Sequence, residues 1–317
     1  MPDFAFLIPI VHPSGRHVHD YAVVEELLQL TTTSLLAQTH RDVAVVVVAH
    51  RLPGWAAEAD PRLHFLILPD HPLVAPNTFA VGEDKGLKYL LAFEYARRLG
   101  CRAVMPMDGD DFMDVHLVEH VLATPPTDEV LLVTRGWFIA MGNDHGRVEV
   151  DAVFENIHFH GACGSCRVFW SDPLAEKVAE VTTAPPEVLV DADTRTVTPD
   201  AITWAAAVPG HRGERLGLLQ VLGTHTRQGH LFTAKPLPGP WAAKGCGHGN
   251  HDGVRAGGIN WKKVVAVRRR RAVLARLGLP ADRRSATRPY PLLLQGLGWS
   301  LAVRVARRVR GPRPIRF

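Results

Sequence analysis

The sequence predicts an α/β fold built on an open mixed sheet with helices on its faces, and three observations carry that expectation. Strand-like and helix-like stretches alternate in the order β-α-β-β-α-β through the first third of the chain. Residues 43–49 form an unbroken Val/Ala run of the kind found in a parallel sheet covered on both sides. A length of 317 residues, with 46% hydrophobic and 21% charged composition, is enough to bury a full core.

Residues 4–10 read as the first buried strand. After a His/Gly/Ser loop, Asp20 is placed to cap a helix whose apolar positions Tyr21, Val24, Leu28 and Leu35 recur at helical spacing. The run at 43–49 is the second strand and 63–68 the third. A second helix is expected over 85–99, closed by Gly100, and a fourth strand over 102–107. A helix at 115–122, a strand at 129–134 and a strand at 216–225 follow, with a His/Gly/Cys-rich loop at 155–166 between the last two. The Gly/Pro/His-rich stretch 236–258 predicts irregular structure, a lid or site loop, and basic helices are expected from Trp261 onward. In open sheets of this kind ligands gather at the carboxyl ends of the strands.

Charge is divided unevenly. The chain carries +4 overall, but residues 255–317 hold 17 Lys and Arg against one acid, Asp282, which leaves about −12 on the rest. A basic tail of this kind suits an anionic surface, and residues 292–309 alternate apolar and arginine positions as a helix lying on a membrane would. The apolar stretches are too short to span a bilayer, and the Met1-Pro2-Asp3-Phe4 start shows no secretory pattern. The cysteines, Cys101, Cys163, Cys166 and Cys246, are too few for a disulfide framework. A cytoplasmic protein, peripheral on the inner face of the membrane, is the resulting expectation. No nucleic acid is expected as partner, because the tail lacks aromatic interleaving.

The chemistry is concentrated at Asp108-Gly109-Asp110-Asp111, three carboxylates within four residues where the fourth strand ends. Such negative potential needs a cation, and hard oxygen ligands suit Mn²⁺ or Mg²⁺. The surroundings are distinctive. Ser34-Leu35-Leu36-Ala37-Gln38-Thr39-His40-Arg41-Asp42 running into the second strand, followed by Met105-Pro106-Met107-Asp108-Gly109-Asp110-Asp111, resembles family 2 glycosyltransferases in order and spacing over roughly residues 4–125.

That resemblance implies a GT-A type sheet with a nucleotide-sugar-binding half (1–125), an acceptor half (126–258) and a basic helical C-terminal extension (259–317). It implies transfer of a sugar from a nucleotide-diphosphate donor to an acceptor hydroxyl, with a divalent metal and inversion. The acceptor would be a sugar, a polysaccharide or a lipid-linked glycan. Carried over by position, Asp108 faces the nucleotide side and Asp110 and Asp111 hold the metal. Pro9, His12, His50, Asp84 and Lys85 fall among the donor contacts. His50, in Ala49-His50-Arg51, stands where the family usually places an acidic residue that reads the nucleobase. Asp191 and Asp193, about 80 residues past the cluster, fall where a catalytic base is expected. His225 or His248 is a candidate further metal ligand.

Cys163-Gly164-Ser165-Cys166 has the spacing of half a zinc site or a redox pair, but its small residues read better as a tight loop lining the acceptor side. Two other functions fit parts of the chain: a metal-dependent nucleotidyltransferase, for which Pro13-Ser14-Gly15-Arg16 would be the phosphate loop, and a non-catalytic nucleic-acid binder using the arginines of the tail.

Overall fold

Alternation along the first two strands decides the architecture. In β1 (Phe4–Pro9) and β2 (Val43–Ala49) every residue is buried. Phe4, Phe6, Ile8, Val43, Val45 and Val47 feed a core on one face, while Ala5, Leu7, Ala44, Val46 and Val48 feed another on the opposite face. The computed structural model describes residues 1–70 except 16, 17, 19 and 59; 81–208 except 128, 145, 146, 157, 158 and 162; and 211–212, 215–216, 222, 232–246, 264–266 and 270–279.

β3 (Leu63–Ile67), β2, β1 and β4 (Ala103–Pro106) lie side by side and parallel. α1 (Tyr21–Leu36) covers one face, with Asp20 accepting from Ala22 N at 2.9 Å as the expected N-cap. α2 (Val81–Arg98) covers the other, and Gly100 ends it with a φ of 87°, a value that a side chain would strain. The open mixed α/β sheet flanked by helices is therefore present, and its first four strands fall where the hydrophobic pattern put them.

Past the aspartates the chain is more regular than expected. Asp111 opens a short strand, β5 (Asp111–Met113), and α3 (Leu117–Leu122) follows. The strand expected over 129–134 continues as β6 (Val130–Asp144) and pairs with β7 (Arg147–Asn156), which takes up the start of the expected loop. β8 (Arg167–Trp170) joins β6 to β4, antiparallel to both. Two helices, α4 (Ser171–Ala179) and α5 (Pro199–Ala206), come next, and α5 adds Ile202 and Trp204 to the α2-side core. Short strands β9 (His211–Arg212) and β10 (Arg215–Leu216) pair with each other, and the rest of the strand expected at 216–225 lies outside the described residues apart from Leu222, which is helical.

The largest correction concerns 236–258. Ala234–Cys246 is a strand, β11, parallel to β6 and antiparallel to β5. Pro238 and Pro240 are accommodated because the register slips between Leu237 and Pro240 and again between Pro240 and Ala242, so their missing N–H groups fall at irregularities of the ladder, while Pro236 stays in register with Leu132. Of the basic helices expected from Trp261, one is present, and residues 280–317, with the apolar-basic stretch 292–309, lie outside the described residues. Val264–Ala266 is a strand, β12, paired with β7, and only α6 (Arg270–Arg276) is helical among the described residues there. Leu274, Leu277 and Leu279 pack with Val23, Leu27 and Leu30 of α1, and Arg276 meets the buried Asp114 at 2.5 Å. These two elements of the 259–317 stretch thus share the body of the fold. No helix among the described residues is long and apolar enough to cross a membrane.

β6 and β11 approach closely at Gly136, where an added Cβ would stand 2.5 Å from both Ala242 O and Phe159 Cδ2. Neither neighbour can yield cheaply, so Gly136→Ala is expected to lower unfolding free energy by about 2 kcal/mol. A urea midpoint unchanged from wild type would show that the two strands do not pack this tightly.

Candidate functional site

The ladder of β4 continues one step beyond the strand, Met107 N donating to Leu7 O at 2.8 Å, and then turns. Asp111 N donates to Asp108 O at 3.2 Å, closing a tight turn that holds Asp108, Gly109, Asp110 and Asp111 at the carboxyl end of the parallel strands. Oxygens of Asp108, Asp110 and Asp111 lie within 4.8 Å of one another. The turn is pinned from three sides. Thr31 Oγ1 on α1 donates to Gly109 O at 3.0 Å, Gly245 N on β11 donates to Asp110 O at 3.0 Å, and Asp108 N donates to Ser165 Oγ at 2.8 Å. A Cβ at Gly245 would stand 2.4 Å from Asp110 O, so only glycine permits β11 to come this close.

Each carboxylate has a different environment. Asp108 is partly buried, and its Oδ1 receives Lys85 Nζ at 2.5 Å, with Tyr89 OH 3.3 Å away. Burial would raise its pKa, but Lys85, helped by Lys244, holds it below the ordinary value. Asp111 is fully buried and accepts at Oδ2 from Ser165 Oγ (2.5 Å) and Cys163 Sγ (3.1 Å). Burial, and then the charges of Asp110 and Asp108, push its pKa well above the ordinary range. Its other oxygen, Oδ1, is buried without a hydrogen-bond partner. A buried carboxylate oxygen with nothing to accept from, beside two more carboxylates, is what a hard divalent cation would satisfy, so these residues fit Mn²⁺ or Mg²⁺.

Lys244 is the cation that sequence reading missed. It lies directly across from Asp111 in the β5–β11 ladder and is 3% exposed. Burial would favour its neutral amine, but the acidic groups around it, Cys163 and the three aspartates, raise its pKa above the usual lysine value. Tyr89 carries no sequence signal for this site either, and the contacts of Cys163 and Ser165 with the aspartates are not visible in their loop motif. Cys163-Gly164-Ser165-Cys166 is a buried loop behind the cluster, orienting Asp108 and Asp111 instead of lining an open acceptor side. Its thiols are pushed up by burial, Cys166 to about 12 and Cys163 well above its ordinary value, so Cys163 Sγ serves as a donor to Asp111.

At the neighbouring strand ends, Pro9 closes β1 opposite Val48. The His12 and His50 rings meet edge to face with centroids 4.4 Å apart. His12 Nδ1 accepts from Ser14 N at 3.0 Å, which assigns the proton of the neutral ring to Nε2, 3.8 Å from Asp70 Oδ1. His12, His50 and Asp70 are close enough to hold a cation, but this tautomer makes His12 a donor there and not a ligand. Neither ring nitrogen of His50 has a hydrogen bond of good geometry, and burial, then Lys88, then His12, bring its pKa down to about 3 against a smaller upward pull from the Leu68 backbone. Asp84 is occupied: its Oδ2 receives Lys88 Nζ at 2.8 Å, and that fully buried ammonium also donates to Ile10 O at 3.0 Å.

Asp191 and Asp193 are not brought to the cluster. Asp191 Oδ1 accepts from Asp193 N, Thr194 N and Thr194 Oγ1 in an exposed turn, and those bonds, the Thr194 backbone one foremost, lower its pKa. Thr196 bridges Ile67 at the end of β3, three strands from β4 and so roughly 14 Å across the sheet. Among the described residues, the hydrogen bonds of Asp191 stay within its own turn, and the reading of either residue as the base rests on separation along the chain alone. His225 and His248 lie outside the described residues.

No family model matches the sequence, and no curated protein does. Among solved structures, the chain is similar to TarS from S. aureus in complex with UDP (13% identity, 78% of this chain and 61% of that chain, TM-score 0.37). It is also similar to TarS in complex with UDP-GlcNAc (14% identity, 97% and 78%, TM-score 0.37). A third is a protein from Desulfovibrio desulfuricans G20 described as a nucleotide-diphospho-sugar transferase (13% identity, 74% and 80%, TM-score 0.30). The match spans about three fifths of the first of these. A likeness this distant fixes neither reaction nor ligand, which have to be read from the residues of the site.

His50 gives the site a pH signature. Its folded pKa lies below the ordinary 6.5, so the unfolded chain takes up the proton first, and the stability contributed by neutral His50 above pH 6.5 is lost as pH falls toward about 3. His50→Gln is expected to lose less stability than wild type across that window in urea midpoints measured against pH. Parallel curves for the two proteins would refute a buried neutral imidazole.

Proposed function

We propose that this chain is a GT-A type glycosyltransferase that moves a sugar from a nucleotide-diphosphate donor to an acceptor hydroxyl. The observation that carries the reading is the aspartate turn itself: three carboxylates at the carboxyl end of a parallel strand, one of them fully buried with an orphan oxygen, flanked by two lysines. Asp110 and Asp111, with Asp108 beside them, would hold Mn²⁺ or Mg²⁺, which when bound supplies positive charge to the leaving diphosphate. Lys85 and Lys244 add fixed positive charge at the same place, and because they are held before the substrate arrives they need no reorganisation as charge develops.

His12, His50 and Pro9, where β1 and β2 end, would face the nucleobase. A neutral imidazole can offer one donor and one acceptor there, in contrast to the acceptor-only pattern of a carboxylate. The transfer is read as a single displacement with inversion. The acceptor is a sugar, polysaccharide or lipid-linked glycan, and the basic residues of 255–317 would contact anionic lipid.

The decisive assay incubates the protein with a panel of nucleotide sugars and Mn²⁺ or Mg²⁺ and follows both binding and slow donor hydrolysis. One donor is expected to give metal-dependent release of nucleoside diphosphate, abolished by EDTA and lowered at least about a hundredfold in Asp110→Ala. Release of pyrophosphate instead would assign nucleotidyl transfer, and a folded protein that responds to no donor would overturn the transferase reading.

A further inference from the structure

We propose that Lys244 is a resident counter-ion of the aspartate turn that competes with the divalent cation for the three carboxylates, so that the metal binds weakly until a diphosphate arrives with it. The inference rests on the reading of that turn as a metal and diphosphate site, and it concerns what the chain does there before any ligand is present.

Geometry places Lys244 firmly. It is the cross-strand partner of Asp111, and directly opposed residues of an antiparallel pair project on the same face with Cβ atoms roughly 5 Å apart. The next residue, Gly245, donates its N–H to Asp110 O at 3.0 Å, in an approach that a side chain would forbid. The strand therefore cannot slide away from the cluster, and with 3% exposure the Lys244 side chain cannot leave for solvent without opening the fold.

Charge arithmetic gives the consequence. Asp108, Asp110 and Asp111 bring three negative charges when ionised, and Lys85 and Lys244 two positive ones. The ligand-free turn is thus nearly balanced, which spares the fold an uncompensated buried carboxylate. A divalent cation entering alone meets a like charge at close range on Lys244 and gains little over the ion pairs it replaces. A cation entering with a diphosphate brings anionic oxygens that offset that repulsion, and Lys244 then has a new anion to face. Metal and nucleotide are coupled through one ammonium, and the coupling is reciprocal.

Titration of the full-length protein with MnCl₂ alone, by calorimetry and by melting temperature against an EDTA reference, separates the outcomes. Lys244→Met keeps the length of the side chain and removes its charge. It is expected to bind Mn²⁺ about tenfold more tightly than wild type. It should also melt several degrees lower in EDTA and recover on adding Mn²⁺, while wild type responds little. Lys244→Arg keeps the charge and should behave as wild type. If Lys244→Met fails to fold in EDTA, Lys244→Gln removes the charge while keeping a hydrogen-bonding side chain, and it should fold and bind Mn²⁺ more tightly than wild type.

Equal Mn²⁺ affinity in wild type and Lys244→Met would overturn the proposal, and so would tightened binding in Lys244→Arg. Absence of Mn²⁺ binding in every variant would remove the metal reading and the role of Lys244 with it. Because no nucleotide is present, the expected pattern in a protein that hydrolyses no sugar donor would uphold Lys244 and sink the transferase reading alone.

Discussion

A fully buried aspartate beside two others is the constraint around which this end of the molecule is arranged. In low dielectric, carboxylates within hydrogen-bonding distance of a common point repel strongly and lose hydration, and each must find a proton, a donor or a cation. Asp111 takes its donors from Ser165 and Cys163, Asp108 takes Lys85, and Lys244 lies across the ladder from Asp111. Five separate parts of the chain meet at one turn: the β4 end, the 163–166 loop, β11, α1 through Thr31 and α2 through Lys85. The orphan oxygen of Asp111 is what this convergence leaves for a ligand.

The sheet makes the convergence possible. Because β1 and β2 are apolar on both faces, helices must cover both sides, and the polar chemistry is displaced to the strand ends. β8 and β6 extend the parallel strands through antiparallel pairing, which turns the second half of the chain back over the aspartates. β11 then inserts between β5 and β6, so that a residue more than 130 positions downstream of Asp111 becomes its neighbour. Packing of α6 onto α1, with Arg276 neutralising the buried Asp114, ties a part of the basic region into the same body.

Much of the first half was legible because its signals are local. The Val43–Ala49 run, the Asp20 cap and the Gly100 stop each depend on residues within one or two turns of one another, and all appear where expected. The aspartates could be singled out because three carboxylates at a strand end have few structural uses. The second half was harder. Three prolines and two glycines in Ala234–Cys246 argue locally against a strand, and what makes it one is pairing to β6 and β5 on either side, with slips in register around Pro238 and Pro240. Asp191 had the right separation along the chain, but its carboxylate is taken by its own turn.

By itself, the sequence determined the alternating α/β order, the two-faced burial of the first strands and the aspartate turn, since these follow from hydrophobic period, caps and breakers acting over a few residues. Only the tertiary structure decided that Lys244, Ser165 and Cys163 serve that turn, that Asp84 is spent on Lys88, and that Asp191 stands apart at the far edge of the sheet. The physical reason is that ion pairing and burial act through space, and the strand pairings that bring distant residues together leave no periodic trace in the segments they join.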